Sequence, residues 1–508
     1  MLSCRDLLRL PSPATPSAVP PATSRRLLIV VVAAWCAFWV AGITGPSDLA
    51  DNDHQERQAA YVLDVLINGN WACQQNQNGE LCGKPPLYTW AAAVLSLPFH
   101  RVNRFSLFFP GALAVLGIML TVWYLGRRCF GDWAGALGAL AFLVSPSGTR
   151  ILDLARIDGL FACTVFLAAA CAFVSWQTER NWIWFWLAAA AATLAKGPLG
   201  LVLAAGGLIA HFWERRGHPE VRLRGSQWIG ILLFFALTLG WFLLAYSAKG
   251  HDLLARMLGN ELVHEAVKAK RDYFGFTKPT ICILTRFLPW SLLALLAIWR
   301  VFRSPATDAG ERRLERFLVC YFLFGLLLFS LGAHQRPDLV FPLLPAAALL
   351  AGRELARWLQ PASGTRALAW LIAALAVCLV GFALYTHVFH RVDRDEDLLR
   401  TRGMRELATR FERQFGREYP LVICRDAPVT FQVFLNTFRS HVKYEAAAER
   451  LAQSEPILVL VKDAAKVRAL LPPGTPCYEV MRWPAQGKAS LTLLGNSPPP
   501  APDAAVPR

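Results

Sequence analysis

The chain has 508 residues, 55% of them hydrophobic and only 17% charged, with a formal net charge of +16. The apolar excess lies in runs of membrane-spanning length, which excludes an ordinary soluble enzyme. The positive charge does not mark a nucleic-acid partner, because the arginines cluster between apolar runs, where they set orientation in a membrane. The twelve cysteines show no CxxC or Cys/His metal spacing. Most, such as Cys36, Cys163, Cys171 and Cys378, sit inside apolar runs as small core residues.

Residues 1–24 are rich in Pro, Ser and Ala and read as disordered. The apolar run 27–44 follows Arg25 and Arg26; it is long for a signal-peptide core and lacks a cleavage site, so it reads as a retained span. Next comes a loop, 45–102, whose centre reads DLADNDHQERQAAYVLDVLINGNWACQQNQNGELCGKPPLYTW over 48–90. Asp53 and Glu56 stand three apart, as an N-cap and its N3 partner do, and Gly69 is placed to end a helix. Ala59, Leu63, Leu66 and Ile67 recur at helical spacing between them, while Gln58, Asp64 and Asn68 face elsewhere. The pattern predicts an amphipathic helix lying on a membrane surface.

Further spans are expected near 105–126, 133–147, 159–176, 181–195, 198–213, 228–247, 280–300, 317–332, 338–352 and 367–388, about eleven with the first. With the N-terminus cytoplasmic, Arg127, Arg128, Arg180, Arg215, Arg216, Arg300, Arg303, Arg312, Arg313, Arg316, Arg353 and Arg357 all fall in inside segments. The 45–102 loop and the C-terminal region are then outside. From about residue 392 the composition changes. A charged helix over 394–414 precedes strand-like runs at 421–424, 457–461, 478–481 and 491–494, with helical patterns at 429–435 and 464–471. These predict a small α/β domain over 391–497, followed by a Pro/Ala-rich tail, 498–508. Outside the membrane, Cys73 with Cys82 and Cys424 with Cys477 are candidate pairs. The fold class is mainly α: a polytopic membrane helix bundle with a small extracytoplasmic α/β domain.

Polar residues gather at the outer ends of the spans. The first loop offers Asp51, Asp53, Glu56, Arg57 and Lys84; the next outside segment offers Arg150, Asp153, Arg156 and Asp158. Lys196 ends an alanine-rich run in TLAKGPLG, and His334 to Asp338 precede the late FPLLP. An acidic base with several cations suits transfer from a phosphate-linked donor: the carboxylate takes a proton from a hydroxyl, and the cations hold the departing phosphate.

At these positions the sequence resembles the polytopic GT-C glycosyltransferases. The resemblance rests on the loop spacing, KPPLYTW, the Arg-x-Asp of Arg156 and Asp158, LAKGPLG and FPLLP, and covers about 27–352. Within that group the chain is most like bacterial 4-amino-4-deoxy-L-arabinose transferases of lipid A and the dolichyl-phosphate-mannose protein mannosyltransferases. The resemblance implies transfer of a sugar from a polyprenyl-phosphate donor to a lipid, glycan or protein acceptor. Residues 25–390 would be the catalytic membrane domain, sited in a bacterial inner membrane among its lipids. It implies Asp53 as the base, with Asp51 and Glu56 as alternatives, because the family's Asp-Glu pair falls on His54-Gln55 here and shifts to Asp53 by one residue. It implies donor-phosphate binding by Lys84, Lys196 and Arg57, with Arg156, Asp158, His264 and Arg336 in support. No metal ligand set is apparent, and the acidic residue often found before the family's lysine is Gly83; a divalent cation is used by some relatives. A polytopic transporter or lipid flippase is the rival, and it requires ionisable residues near the middle of several spans.

Overall fold

The computed structural model describes residues 21–45, 49, 52–152, 154–257, 275–332, 337–359, 365–389, 395–483 and 491–498. It comprises two compact units. The first is Met1–Gly45, Gly83–Tyr88 and Phe108–Val388; the second is Pro46–Cys82, Thr89–Leu107 and Phe389–Arg508.

In chain order, α1 (Pro21–Ile43) precedes α2 (Asn52–Asn68) and α3 (Leu87–Ser96). Then come α4 (Arg104–Cys129), α5 (Asp132–Val144), α6 (Pro146–Leu152), α7 (Ile157–Thr178) and α8 (Trp182–Lys196). After these run α9 (Leu199–Ala205), α10 (Ile209–Gly217), α11 (Trp228–Lys249), α12 (His251–Leu254) and α13 (Lys278–Arg286). The first unit ends with α14 (Trp290–Arg303), α15 (Ala309–Leu331), α16 (Leu344–Leu359) and α17 (Thr365–Leu384). Among the described residues seven helices are long and apolar enough to cross a membrane, or nine if each of two bent pairs is one span. The bent pairs are α5 with α6 (68°) and Gly275–Arg286 with α14 (113°).

Besides these bent pairs, which fall at the expected spans 133–147 and 280–300, two more of the eleven expected spans take other forms. The helix α8 has 15 residues, against the roughly 20 of an upright span. The segment expected at 198–213 is broken into α9, a 3₁₀ turn at Gly206–Leu208 and α10. A Cβ on Gly207 would stand 2.3 Å from the Phe317 ring, so the tip of that α15 side chain lies directly on the backbone there. Elsewhere the unit packs on small residues. Gly138 of α5 lies so close to Gly352 of α16 that a Cβ on Gly352 would come within 2.5 Å of its Cα. Helices without a hydrophobic drive between them associate through such contacts.

One end of this unit gathers the arginine-rich connections. Ser24 donates to Asp132 (2.9 Å), which also pairs with Arg127 (3.1 Å). The Arg353 guanidinium lies over the Phe130 ring and pairs with Glu311 (3.1 Å) and with Glu315. Glu354 takes Arg300 and Arg357, and Glu214 takes Arg312 (2.9 Å) and Arg316 (2.6 Å). Glu214, Glu315 and Glu354 are fully buried. Connections that the sequence assigned to one side of a membrane are thus physically joined.

The second unit contains a five-stranded sheet, β1 (Leu421–Cys424), β2 (His441–Val442), β3 (Leu458–Val461), β4 (Tyr478–Trp483) and β5 (Leu491–Gly495), in the order β2-β1-β3-β5-β4. The pairs β1–β2 and β1–β3 are parallel, β3–β5 and β4–β5 antiparallel. Its helices are α18 (Asp395–Phe415), α19 (Val429–Leu435), α20 (Tyr444–Leu451) and α21 (Ala464–Ala469). Alternation along β3 places Leu458 and Leu460 against Phe411 and Phe431 on one face, and Val459 and Val461 against Ala448 and Leu451 on the other. Both faces are covered, which is why β3 reads as an unbroken apolar run. The short strand β2 and α20 are additions to the expected elements. Cys424 and Cys477 are free thiols, so that candidate pairing is not formed.

Candidate functional site

The helix α2 begins at Asn52, so Asp53 stands in its first turn rather than at the cap. The Asp53 side chain and the whole of Asp51 lie outside the described residues; Glu56 and Arg57 are half-buried on the same helix. The helix ends as expected, with Gly69 at φ +69° and its N–H on the Val65 carbonyl (3.1 Å). It does not present one buried face and one wet one. Ala59, Ala60, Tyr61, Val62, Leu63, Asp64 and Val65 are all buried, while Ile67 is exposed. The expected amphipathic pattern is therefore corrected: the middle of α2 is buried on every side.

Asp64 explains much of this and was missed in the sequence, where it counted as an outward polar residue. It is fully buried. Its carboxylate accepts from Asn68 Nδ2 (2.8 Å), Asn70 Nδ2 (2.9 Å) and the Gln75 N–H (2.7 Å). A buried carboxylate with several donors organises the chain around it, and here it folds residues 68–75 back on α2. Beyond it, the Asn76 side-chain oxygen accepts from the N–H groups of Asn78 and Glu80, closing a small turn. Trp90 Nε1 donates to the Trp71 carbonyl (2.7 Å). The KPPLYTW motif is shared between the units: Lys84 belongs to the first and Trp90 to the second.

In the first unit the sequence-selected residues do meet. Asp158 lies in the first turn of α7 and Lys196 is the last residue of α8. The two helices pack as a hairpin. Carboxylate at a helix N-terminus and ammonium at a C-terminus both suit the helix dipoles. Lys196 Nζ lies 2.5 Å from Asp158 Oδ1 and 5.5 Å from the Phe161 ring centroid. Lys84 and Arg156 stand close enough to act on the Asp158 charge as well. Arg156 is buried and extended (φ −140°, ψ 158°), just before α7. Gly197 holds φ +101° directly after Lys196, a backbone state open to glycine, and Pro198 blocks continuation. The LAKGPLG motif thus fixes where α8 stops and where its lysine sits. The Asp158–Lys196 pair lies at the end of the α7–α8 hairpin away from the turn where Trp182 Nε1 meets the Arg224 carbonyl (2.7 Å).

The late motif is buried: Phe341 is 1% exposed, and Tyr321 of α15 donates its hydroxyl to the Pro342 carbonyl (2.7 Å). That hydrogen bond ties FPLLP to a helix that local sequence did not connect to it. His264 and Arg336 lie outside the described residues. Among the described residues no group of three or more His, Cys, Asp or Glu side chains is placed to hold a metal ion, and Asp158 is engaged by Lys196.

The fold is thus a bundle of helices of membrane-spanning length in the first unit and a small α/β sheet in the second. Over 95% of this chain and 99% of the other, that fold matches the crystal structure of ArnT from Cupriavidus metallidurans bound to undecaprenyl phosphate, with a TM-score of 0.71 and 17% sequence identity. Residues 83–243 match the family described as dolichyl-phosphate-mannose-protein mannosyltransferase. An uncharacterized protein of Aquifex aeolicus is 30% identical over 280 residues, covering 54% of this chain and 53% of that protein. A Pseudomonas fluorescens protein is 25% identical over 331 residues, 61% of this chain and 54% of its own length. It is named undecaprenyl phosphate-alpha-4-amino-4-deoxy-L-arabinose arabinosyl transferase 1. The matched region spans about half the length of these relatives.

Proposed function

We propose that this protein is a membrane glycosyltransferase that moves a sugar from a polyprenyl-phosphate carrier to a lipid, glycan or protein acceptor on the extracytoplasmic face of a bacterial inner membrane. The supporting observation is the convergence of Lys84, Arg156 and Lys196 on Asp158. Cations gathered at the end of a membrane domain suit a lipid phosphate. The resemblance to proteins named as arabinosyl transferases and mannosyltransferases supports the same reading. The buried charges named above stand at helix ends rather than along the spans, which favours it over a transporter.

In the proposed reaction an acceptor hydroxyl attacks the anomeric carbon. Asp53 takes its proton, with Asp51 and Glu56 as the alternative bases. The bond from that carbon to the phosphate oxygen breaks, and polyprenyl phosphate leaves with the electron pair and inversion at carbon. Lys84, Lys196 and Arg57 meet the phosphate charge, and Arg156, Asp158, His264 and Arg336 support them. No step is routed through a metal ion. The N-terminus is cytoplasmic and the α/β domain extracytoplasmic, supported by the joining of the arginine-rich connections at one end.

The test is purified full-length protein in lipid nanodiscs with a panel of undecaprenyl-phosphate sugars and acceptors, scoring release of undecaprenyl phosphate. Acceptor-dependent release from one donor is the expected result. No release from any donor, together with lipid scrambling in vesicles, would transfer the assignment to the flippase class.

A further inference from the structure

The first external loop and the α/β domain are far apart in sequence, yet they fold as one unit. Three points on the loop are held. First, α19 packs along α2. Second, the His441 N–H on β2 donates to the Gln77 carbonyl (2.7 Å). Third, the corner between α3 and α4 is held by Asn436. Asn436 Nδ2 donates to the His100 carbonyl (3.1 Å), and Asn436 Oδ1 accepts from the Val102 N–H (3.2 Å). Its side-chain amide thus pairs with residues 100 and 102 as a neighbouring strand's peptide group would.

Asn436 is fitted to this task by backbone and side chain together. It ends α19 in the left-handed region (φ 55°, ψ 45°), which asparagine tolerates better than other side-chain-bearing residues. That conformation satisfies α19's last carbonyls and turns the amide toward the loop. The corner it grips is braced from within. Ser96 Oγ donates to Ser106 Oγ (2.8 Å), and Asn103 Oδ1 accepts from the Ser106 N–H (2.9 Å) to start α4. A rigid corner held by a rigid cap transmits position.

We propose that Asn436 is a positioning residue: through it the α/β domain holds the first external loop, and with it α2, in the arrangement that turnover requires. The kinetic arm of its test rests on the transferase assignment; the structural arm does not.

Two variants of the full-length protein separate clamp from fold. Asn436→Gly keeps the left-handed backbone and deletes the amide. Asn436→Asp keeps the acceptor for Val102 but sets a carboxylate oxygen against the His100 carbonyl. Hydrogen exchange is followed over 52–82 and 97–107, where local opening shows as lost protection. Both regions should exchange faster in Asn436→Gly than in wild type. With a turned-over donor, kcat should fall between about tenfold and a hundredfold while donor KM stays unchanged, and Asn436→Asp should be intermediate. A merely structural role lowers the yield of folded protein and leaves kcat per folded molecule alone. Unchanged exchange over 52–82, or unchanged kcat with faster exchange, overturns the proposal. If wild type turns over no donor, the transferase assignment fails by itself and the exchange result alone decides the clamp.

Discussion

Replacing Lys196 with Met removes an ammonium and keeps most of the side chain's volume. The ammonium lies 2.5 Å from Asp158 Oδ1, and the two side chains are only 14% and 16% exposed. Removing one partner of a buried pair costs about 3–5 kcal/mol, because the other charge is left alone. Here neither side chain is fully dry, and Lys84 and Arg156 still act on Asp158. The expected loss for Lys196→Met is therefore about 2–3 kcal/mol. Asp158→Asn is costly for the opposite reason, since the Lys196 ammonium is left without its acid. The double variant removes both problems, so the two single losses should exceed the double one by about 1–2 kcal/mol. Denaturant titration of the full chain in detergent, followed by tryptophan fluorescence, measures the cycle. A second readout is affinity for undecaprenyl phosphate. Losing one charge-assisted contact of about 1.5–3 kcal/mol should weaken binding roughly ten- to hundredfold. An additive cycle with unchanged affinity would refute both roles and leave Lys196 as an ordinary surface ion pair.

Asp53→Asn should leave expression and donor binding intact and lower turnover by about 10²–10⁴; turnover near wild type would pass the role of base to Asp51 or Glu56. His441 is buried, and burial holds its pKa down at about 4 against the pull of Asp426. In the unfolded chain it takes up a proton near pH 6.5, so its stabilisation is complete above that pH and is lost as pH falls toward 4, by about 3 kcal/mol in all. The stability difference between pH 7 and pH 4.5 should shrink in His441→Leu, and an unchanged difference would assign the acid sensitivity to other groups. On a background with the exposed thiols Cys36 and Cys378 replaced by Ser, Ser454→Cys should react with an impermeant maleimide in whole cells. Gly217→Cys should react only after permeabilisation, and the reverse pattern would invert the orientation.

Elements with a strong local period were legible in the sequence. The long apolar helices α4, α7, α11, α15 and α17 stand where hydropathy puts them, and β1, β3 and β5 where short apolar runs do. Lys84, Asp158 and Lys196 stood out because each sits beside a chain-breaking Pro or Gly or opens an apolar run. What was not legible depended on partners distant in sequence. Asp64 looks like a polar residue on an amphipathic helix until its three donors, all later in the loop, are in place. β2 has two residues and exists because β1 and Gln77 offer it hydrogen bonds. Asn436 reads as a helix stop; its grip on residues 100 and 102, more than 300 positions away, leaves no local trace. The bent pairs were hidden for another reason: apolar composition is the same in a straight span and in one folded back on itself.

Burial separates the two charged ends of the first unit. At the arginine-rich end, Glu214, Glu311, Glu315 and Glu354 meet Arg300, Arg312, Arg316, Arg353 and Arg357. Acid and base nearly cancel, and three of the acids are wholly buried. Such a network is complete without a ligand: each charge is already answered, and adding an anion or a cation would unbalance it. At the other end Lys196 pairs with Asp158, and Lys84 and Arg156 act on the same carboxylate. There the paired side chains keep 14% and 16% of their exposure, so this end stays open to solvent where the arginine-rich end is closed. Under the proposed function the donor phosphate would meet these cations, and its charge would be greatest as it leaves. Burial of the acids separates a network that only holds helices together from one that a ligand can still reach.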